Sequence, residues 1–484
     1  MIYTIMKNTA RLILAAIAVA AALVSCTKDL NPGKADTGSE AGTLRTITVS
    51  FNTPTKAYLD GLKPHFSKGD SILVKGSILS GDQRQTVYDT CIVSVKNGIA
   101  TISTELTGFL NAYYPLSSVN IAPDHLDFFV PPMQTGRFDD ANICSADIST
   151  DGTTALFENE YPILRFYAGE GIGVDTIRIK SSKVLAGLTD TTVITVTPPK
   201  VDENIAQGAA LAEEEASVQD PRIWYVAIAG GHNANDLTFE SVTKTQGTVE
   251  KTPTTDLMLE KGKIYNAFIP YYITMCANSD TLRLAYCNVG AFLPEEPGEY
   301  FMWGEVQGHK AVGTGEGAFD FTDFAPFEND RDRYIKANAT DGFGQGNAPY
   351  YDPSESKFTK YNESDGKTKL ELCDDAANAN WGGNWRMLTE EEFKTFAAMP
   401  SDLFTSTGVG ETTTLNSSYT YYWVRSISED KTNAKVLEIK AYAVSLQNQP
   451  RWKGCPIRPI YDKNLSEDQP TTVTIKAYTD GKTL

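Results

Sequence analysis

The sequence predicts a mainly β protein, with β-sandwich material over residues 46–270 and a mixed α/β domain after it. Three observations lead there. Short runs alternate apolar and polar residues with a period of two, as half-buried strands do: Thr46-Ile47-Thr48-Val49-Ser50-Phe51, Ser71-Ile72-Leu73-Val74, Cys91-Ile92-Val93-Ser94-Val95 and Asp175-Thr176-Ile177-Arg178-Ile179-Lys180. Gly and Pro interrupt these runs often and long helical periodicities are missing, which suits a sandwich rather than a helical or alternating α/β fold. After Pro270 the composition turns toward Gly, Asn, Asp and aromatic residues, and a third domain begins near residue 277.

The amino terminus has the order of a bacterial lipoprotein signal. Lys7 and Arg11 precede an apolar run over residues 12–24 that ends in Leu23-Val24-Ser25-Cys26, a basic start followed by a short apolar stretch and small residues before a cysteine. A spanning helix needs about 20 apolar residues, and Thr27-Lys28-Asp29 follows this shorter run directly. Removal of residues 1–25 would leave Cys26 to carry the lipid, and each buried methylene contributes about 0.8 kcal/mol to anchoring. The expected location is the outer membrane, lipid-held and facing outward. Residues 26–45 are rich in Gly, Ser, Thr, Asp, Glu and Lys, the composition of a flexible tether.

The body that follows is too long for one domain, at about 100–200 residues each. We expect a first sandwich over 46–185 and a second over 186–272, the latter interrupted by an acidic insertion at 201–220 in which residues 209–216 suit a short helix. Strands resume at Ile223-Trp224-Tyr225-Val226-Ala227-Ile228. A net charge of −18 argues against nucleic acid as a partner, because phosphate binding needs clustered Lys and Arg. Beyond Cys26 the cysteines are 91, 144, 276, 287, 373 and 455. None forms a CxxC pair, so a zinc site of ordinary spacing is not expected, and spacing does not reveal any disulfide pairing.

Four segments of the β region resemble the fimbrillin-like proteins of Bacteroides-type bacteria: Thr55-Lys56-Ala57-Tyr58-Leu59-Asp60-Gly61 with Phe66-Ser67-Lys68-Gly69-Asp70-Ser71-Ile72; Ala112-Tyr113-Tyr114-Pro115 with Val130-Pro131-Pro132-Met133-Gln134-Thr135-Gly136-Arg137-Phe138-Asp139; Ala155-Leu156-Phe157-Glu158-Asn159 with Leu164-Arg165-Phe166 and Ala186-Gly187; and Leu259-Glu260-Lys261-Gly262-Lys263-Ile264-Tyr265. The resemblance implies two transthyretin-like β-sandwich domains and membership of a pilus as stalk, anchor or tip, with other fimbrillin subunits as partners. Residue by residue these positions read as turns and core. In stalk subunits of that family a protease cuts after an Arg, removing a strand and leaving a groove that another subunit fills by strand addition. Arg45-Thr46 lies where such a cut would fall, yet residues 27–44 contain no convincing strand, so cleavage there would free the tether without opening a groove.

The third region, 277–462, carries Phe301-Met302-Trp303-Gly304-Glu305, Asp374-Asp375-Ala376-Ala377, Asn380-Trp381-Gly382-Gly383-Asn384-Trp385-Arg386-Met387, Tyr422-Trp423-Val424-Arg425-Ser426 and Ile457-Arg458-Pro459-Ile460 in order. These blocks resemble the Fibrobacter succinogenes major paralogous domain, which implies a C-type-lectin-like mixed α/β fold with long loops suited to recognition. Residues 388–399 read as its clear helix, with Thr389 as cap and Glu390, Glu391 and Glu392 favourably placed in the first turn. Asp374 and Asp375 with Asn378 or Asn380 are candidate calcium ligands through oxygen, set against a hydrogen-bonded loop cap. Trp303, Trp423 and Trp452 are candidate stacking surfaces for glycans, set against ordinary core positions. The tail, 463–484, contains an alternating run at 471–478 that is expected to pair within the head or to serve another subunit as a donor strand.

An enzyme is the rival class. His65, His125, His232 and His309 stand isolated, and HExxH, GxSxG and P-loop motifs are missing. Cys287, Cys373 and Cys455 are expected to be structural or disulfide-forming rather than redox-active. The sequence therefore points to a lipid-anchored adhesin, as a pilus tip or accessory subunit, with a freestanding glycan- or protein-binding lipoprotein as the alternative.

Overall fold

The computed structural model describes residues 44–51, 66, 68–80, 82–122, 125–186, 191–199, 219–253, 255–277, 279–315, 318–321, 342–396, 399–411, 414–416, 418–440, 443–465 and 474–477. The signal, Cys26 and the tether up to residue 43, residues 55–61 and the helix expected at 209–216 lie outside them; Arg45, expected to end the tether, begins a strand.

The protein is mainly β. The first described strand, Arg45–Phe51, shows why alternation was informative: Ile47 and Val49 point into a core while Thr46, Thr48 and Ser50 face solvent. This strand lies parallel to Thr154–Asn159 on one side and antiparallel to Ile99–Thr104 on the other. An eight-stranded sheet containing these strands closes over Ile47, Val49, Ile72, Val74, Ile102 and Phe157. Phe66 stacks on Phe51 at 4.2 Å and meets Phe157 edge-on at 5.1 Å, so the aromatic residue ahead of Gly69-Asp70 anchors the core. Gly69 itself has φ of 97°, a conformation open to glycine at no steric cost, and it turns the chain into Ser71–Ser80.

The second unit has two facing sheets. One runs in the order Ile223–Ala227, Ile163–Tyr167, Ile264–Phe268, Thr474–Ala477; the other Gly247–Lys251, Leu237–Thr243, Val174–Ser181, Val193–Val196, Met133–Gln134. Phe166, Ile177, Ile179, Ile194, Leu237 and Phe239 fill the space between them, with Phe166 and Phe239 edge to face at 5.4 Å.

Two expected boundaries change. The first and second β units divide at 160–162 rather than at 185. Ile163–Tyr167, buried at every position, and Val174–Ser181 pair within the second unit, and Met133–Gln134 and the short helix Phe138–Ala141 cross over to join it. Period two reports that a strand exists and which face is apolar, but not which sheet receives it. The tail strand, Thr474–Ala477, lies antiparallel on Ile264–Phe268, so it completes the second unit rather than the head.

The head opens with the hairpin Tyr272–Ala277 and Asp280–Ala285, a few residues earlier than 277. That hairpin continues through Pro459–Tyr461 to Trp385–Met387, and a separate sheet holds Tyr421–Ile427, Asn433–Lys440 and Ala443–Pro450. The expected helix at 388–399 is present as Glu390–Thr395, with Thr389 and Glu392 forming a reciprocal capping box. One apolar core runs without interruption from the second unit into the head. Phe268 meets Trp381 at 5.2 Å, Arg165 lies 4.6 Å over the Phe292 ring, and Arg222 pairs with Glu295 at 2.8 Å. The head is thus fused to its neighbour rather than strung beside it.

Candidate functional site

A cluster of polar and aromatic side chains in the head is built around Asp374. Its carboxylate is 1% exposed and accepts from the Tyr350 hydroxyl at 2.5 Å, from Lys360 Nζ at 2.5 Å, and from the Tyr361 hydroxyl. Burial alone would raise the Asp374 carboxyl, but the Lys360 ammonium and the two hydroxyls hold it below the ordinary range. Burial and the neighbouring carboxylate push both tyrosines up, so they stay protonated donors. Tyr350 and Tyr361 each have positive φ, 63° and 58°, uncommon for bulky residues. The bonds to Asp374 hold both tyrosines from opposite ends of the Tyr351–Phe358 hairpin.

Beneath them lies Arg451, fully buried. Its guanidinium sits 3.7 Å from the Phe358 ring centroid and 5.0 Å from that of Trp303, and reaches the carbonyls of Lys360, Tyr361 and Lys431 at 3.4 Å. Burial lowers its pKa to about 9. Only the outer rim meets solvent: Lys360 and Lys367 flank Glu371, each at 2.7 Å, with Cys373 exposed beside them.

The predicted calcium ligands separate into different jobs. Asp375 caps the helix Ala376–Trp381 by accepting from Ala377 and Asn378 backbone N–H groups, and it also accepts from Met387 N. Burial pushes its carboxyl up, against Arg425 at 3.5 Å and those donors. The Asn378 amide donates to the carbonyls of Gly383 and Trp385, and the Asn380 amide to those of Val306 and Ala376. Calcium takes 6–8 oxygen ligands, whereas both carboxylates here are engaged by internal donors and the two amides serve as loop staples. The hydrogen-bonded cap, not a cation cage, describes these four residues. Glu371, Cys373 and Asp374 do bring ligand atoms within 4.8 Å of one another, but Lys360 and Lys367 already neutralise that group.

Two of the three predicted stacking residues are core. Trp303 and Trp423 are 0% and 2% exposed, their indole N–H groups donating to the carbonyls of Val424 and Phe301. Trp452 is half-buried between Tyr300, Met302 and Phe343 on one side and Ala348, Tyr351 and Phe358 on the other. Arg45 and Thr46 are placed opposite Thr104 and Ser103; a cut between them would leave Ile47 and Val49 seated. Nothing in the sequence spacing reveals that Tyr350, Lys360 and Arg451 converge near Asp374.

No family model matches this chain, and no curated protein matches it. Two solved structures, provisionally described as cell adhesion proteins, are distantly similar. That from Bacteroides uniformis is 11% identical and covers 49% of this chain and 93% of its own; that from Bacteroides ovatus is 13% identical and covers 47% and 92%. At a TM-score of 0.29 for each, neither likeness bears on mechanism.

Proposed function

We propose that this chain is a lipid-anchored cell-surface adhesin, a fimbrial tip or accessory subunit without enzymatic activity, whose lectin-like head meets a host or bacterial glycan. The observation that carries the reading is the order of parts: a lipidation sequence ending at Cys26, a polar tether, two β units and then a loop-rich head. A specific feature favours a terminal or freestanding place over a stalk position. The Arg45–Phe51 strand is held on both sides, so cutting after Arg45 opens no groove for a neighbouring subunit.

Palmitate labelling of the intact protein and of Cys26→Ser tests the anchor, with loss of label and of membrane fractionation expected in the variant. Binding of the full-length chain to a glycan array tests the head. Saturable binding supports adhesion, and its failure by a demonstrably folded chain moves the function to assembly. Co-purification with other fimbrillins distinguishes the pilus subunit from a freestanding lipoprotein.

A further inference from the structure

Both β units place the strand by which the chain enters beside the strand by which it leaves, and in each case the two are parallel. In the first unit the entering strand is Arg45–Phe51 and the leaving strand Thr154–Asn159, in register at Thr48↔Thr154, Val49↔Ala155, Ser50↔Leu156 and Phe51↔Phe157. The chain has already visited the second unit at Met133–Gln134 and Phe138–Ala141; after the first unit is complete it returns by Ile163–Tyr167 and leaves toward the head by Ile264–Phe268, paired at Ile163↔Ile264, Leu164↔Tyr265 and Arg165↔Asn266.

We infer that the chain bears tension between its amino-terminal tether and its head, with these two parallel pairs as mechanical clamps in series. This rests on the proposed anchoring at one end and binding at the other. A pull along the chain draws the entering strand from its first residue and the leaving strand from its last. For parallel neighbours those are opposite ends, so the strands are loaded in shear and their evenly spaced hydrogen bonds must yield together. A pull at the same end of such a pair peels the bonds one after another.

Three further features fit. The first clamp's entering strand is also held by Ile99–Thr104, which lies off the load path and must be torn away as well. On the load path, residues 160–162 alone join Thr154–Asn159 of the first unit to Ile163–Tyr167 of the second, with the Tyr161 hydroxyl bonded to the Phe128 carbonyl at 2.9 Å. At the head, Phe268 is paired with Thr474, so both covalent connections to the head leave the sheet from one end. A pull on the head therefore drags Ile264–Phe268 and Thr474–Ala477 together against Ile163–Tyr167, and the tail strand is not peeled away.

Single-molecule force spectroscopy on residues 27–484, which retain every described residue, tests this directly. The amino terminus is fixed, and a handle is attached at the exposed Cys373 in a Cys276→Ser background. For comparison the handle is moved to Asp151→Cys, with Cys276→Ser and Cys373→Ser, in the exposed turn that leads into Thr154–Asn159. That attachment pulls the first parallel pair from one end. Four residue pairs yielding together against one at a fork predict a first-unit rupture force roughly threefold to fourfold higher with the head handle. Equal forces in the two geometries would overturn the inference. The force ratio is independent of ligand binding: a high ratio without glycan binding would leave the clamps standing and remove the adhesin reading, while intact binding with equal forces would do the reverse.

Discussion

Replacing Asp374 with Asn keeps the shape of the side chain and removes its charge. The change removes the charge facing Lys360 at 2.5 Å and one of the two oxygens that accept from Lys360 and the tyrosine hydroxyls, in a side chain that is 1% exposed. Removing one member of a buried ion pair costs about 3–5 kcal/mol. Lys360 is 24% exposed and retains Glu371 at 2.7 Å, so the discounted cost is ~2–3 kcal/mol. At about 2–4 °C per kcal/mol for a unit of 150–250 residues, and the low end of that for the larger unit the head forms with its neighbour, their shared melting midpoint should fall by roughly 4–6 °C at pH 7. The pH dependence supplies a second check. The Asp374 carboxyl is held below its ordinary value in the folded protein, so its contribution is present above the unfolded pKa of about 3.9 and is lost as pH falls through the folded value. The gap between the intact protein and Asp374→Asn, followed by near-ultraviolet circular dichroism, should narrow below about pH 4. Equal midpoints at pH 7, or a gap as large at pH 3 as at pH 7, would refute the assignment of Asp374 as the charged centre of the cluster.

Calcium and a chelator should each leave the melting midpoint of the whole chain unchanged; a rise of several degrees in calcium that disappears in Asp374→Asn would restore the calcium reading. Phe268→Ala should cost about 3–5 kcal/mol, as large aromatic truncations do, and should lower the second unit and head in a single calorimetric transition. Separate transitions, with only one displaced, would contradict the continuous core. Deleting residues 464–484 should uncover the edge of Ile264–Phe268 and drive concentration-dependent association, because an unpaired edge is a template for another strand. A monomer with unchanged stability, by light scattering and melting, would refute that role for the tail.

Much was legible in the sequence where the physics is local. Alternation located Arg45–Phe51 and Val174–Ser181, Gly69 marked a turn, and Thr389 with Glu392 announced a capped helix, because each depends on side chains a few residues apart. Composition likewise separated the β region from a loop-rich head. Partnership was decided only by the tertiary structure. Ile163–Tyr167 belongs to the second unit, Thr474–Ala477 reaches back across some two hundred residues to close its sheet, and Asp374 and Asp375 are neighbours in sequence with separate tasks. Trp303 and Trp423 became core for the same reason. Which groups meet is set by the burial of distant apolar faces against one another, and a carboxylate's role follows from the donors that this packing brings to it.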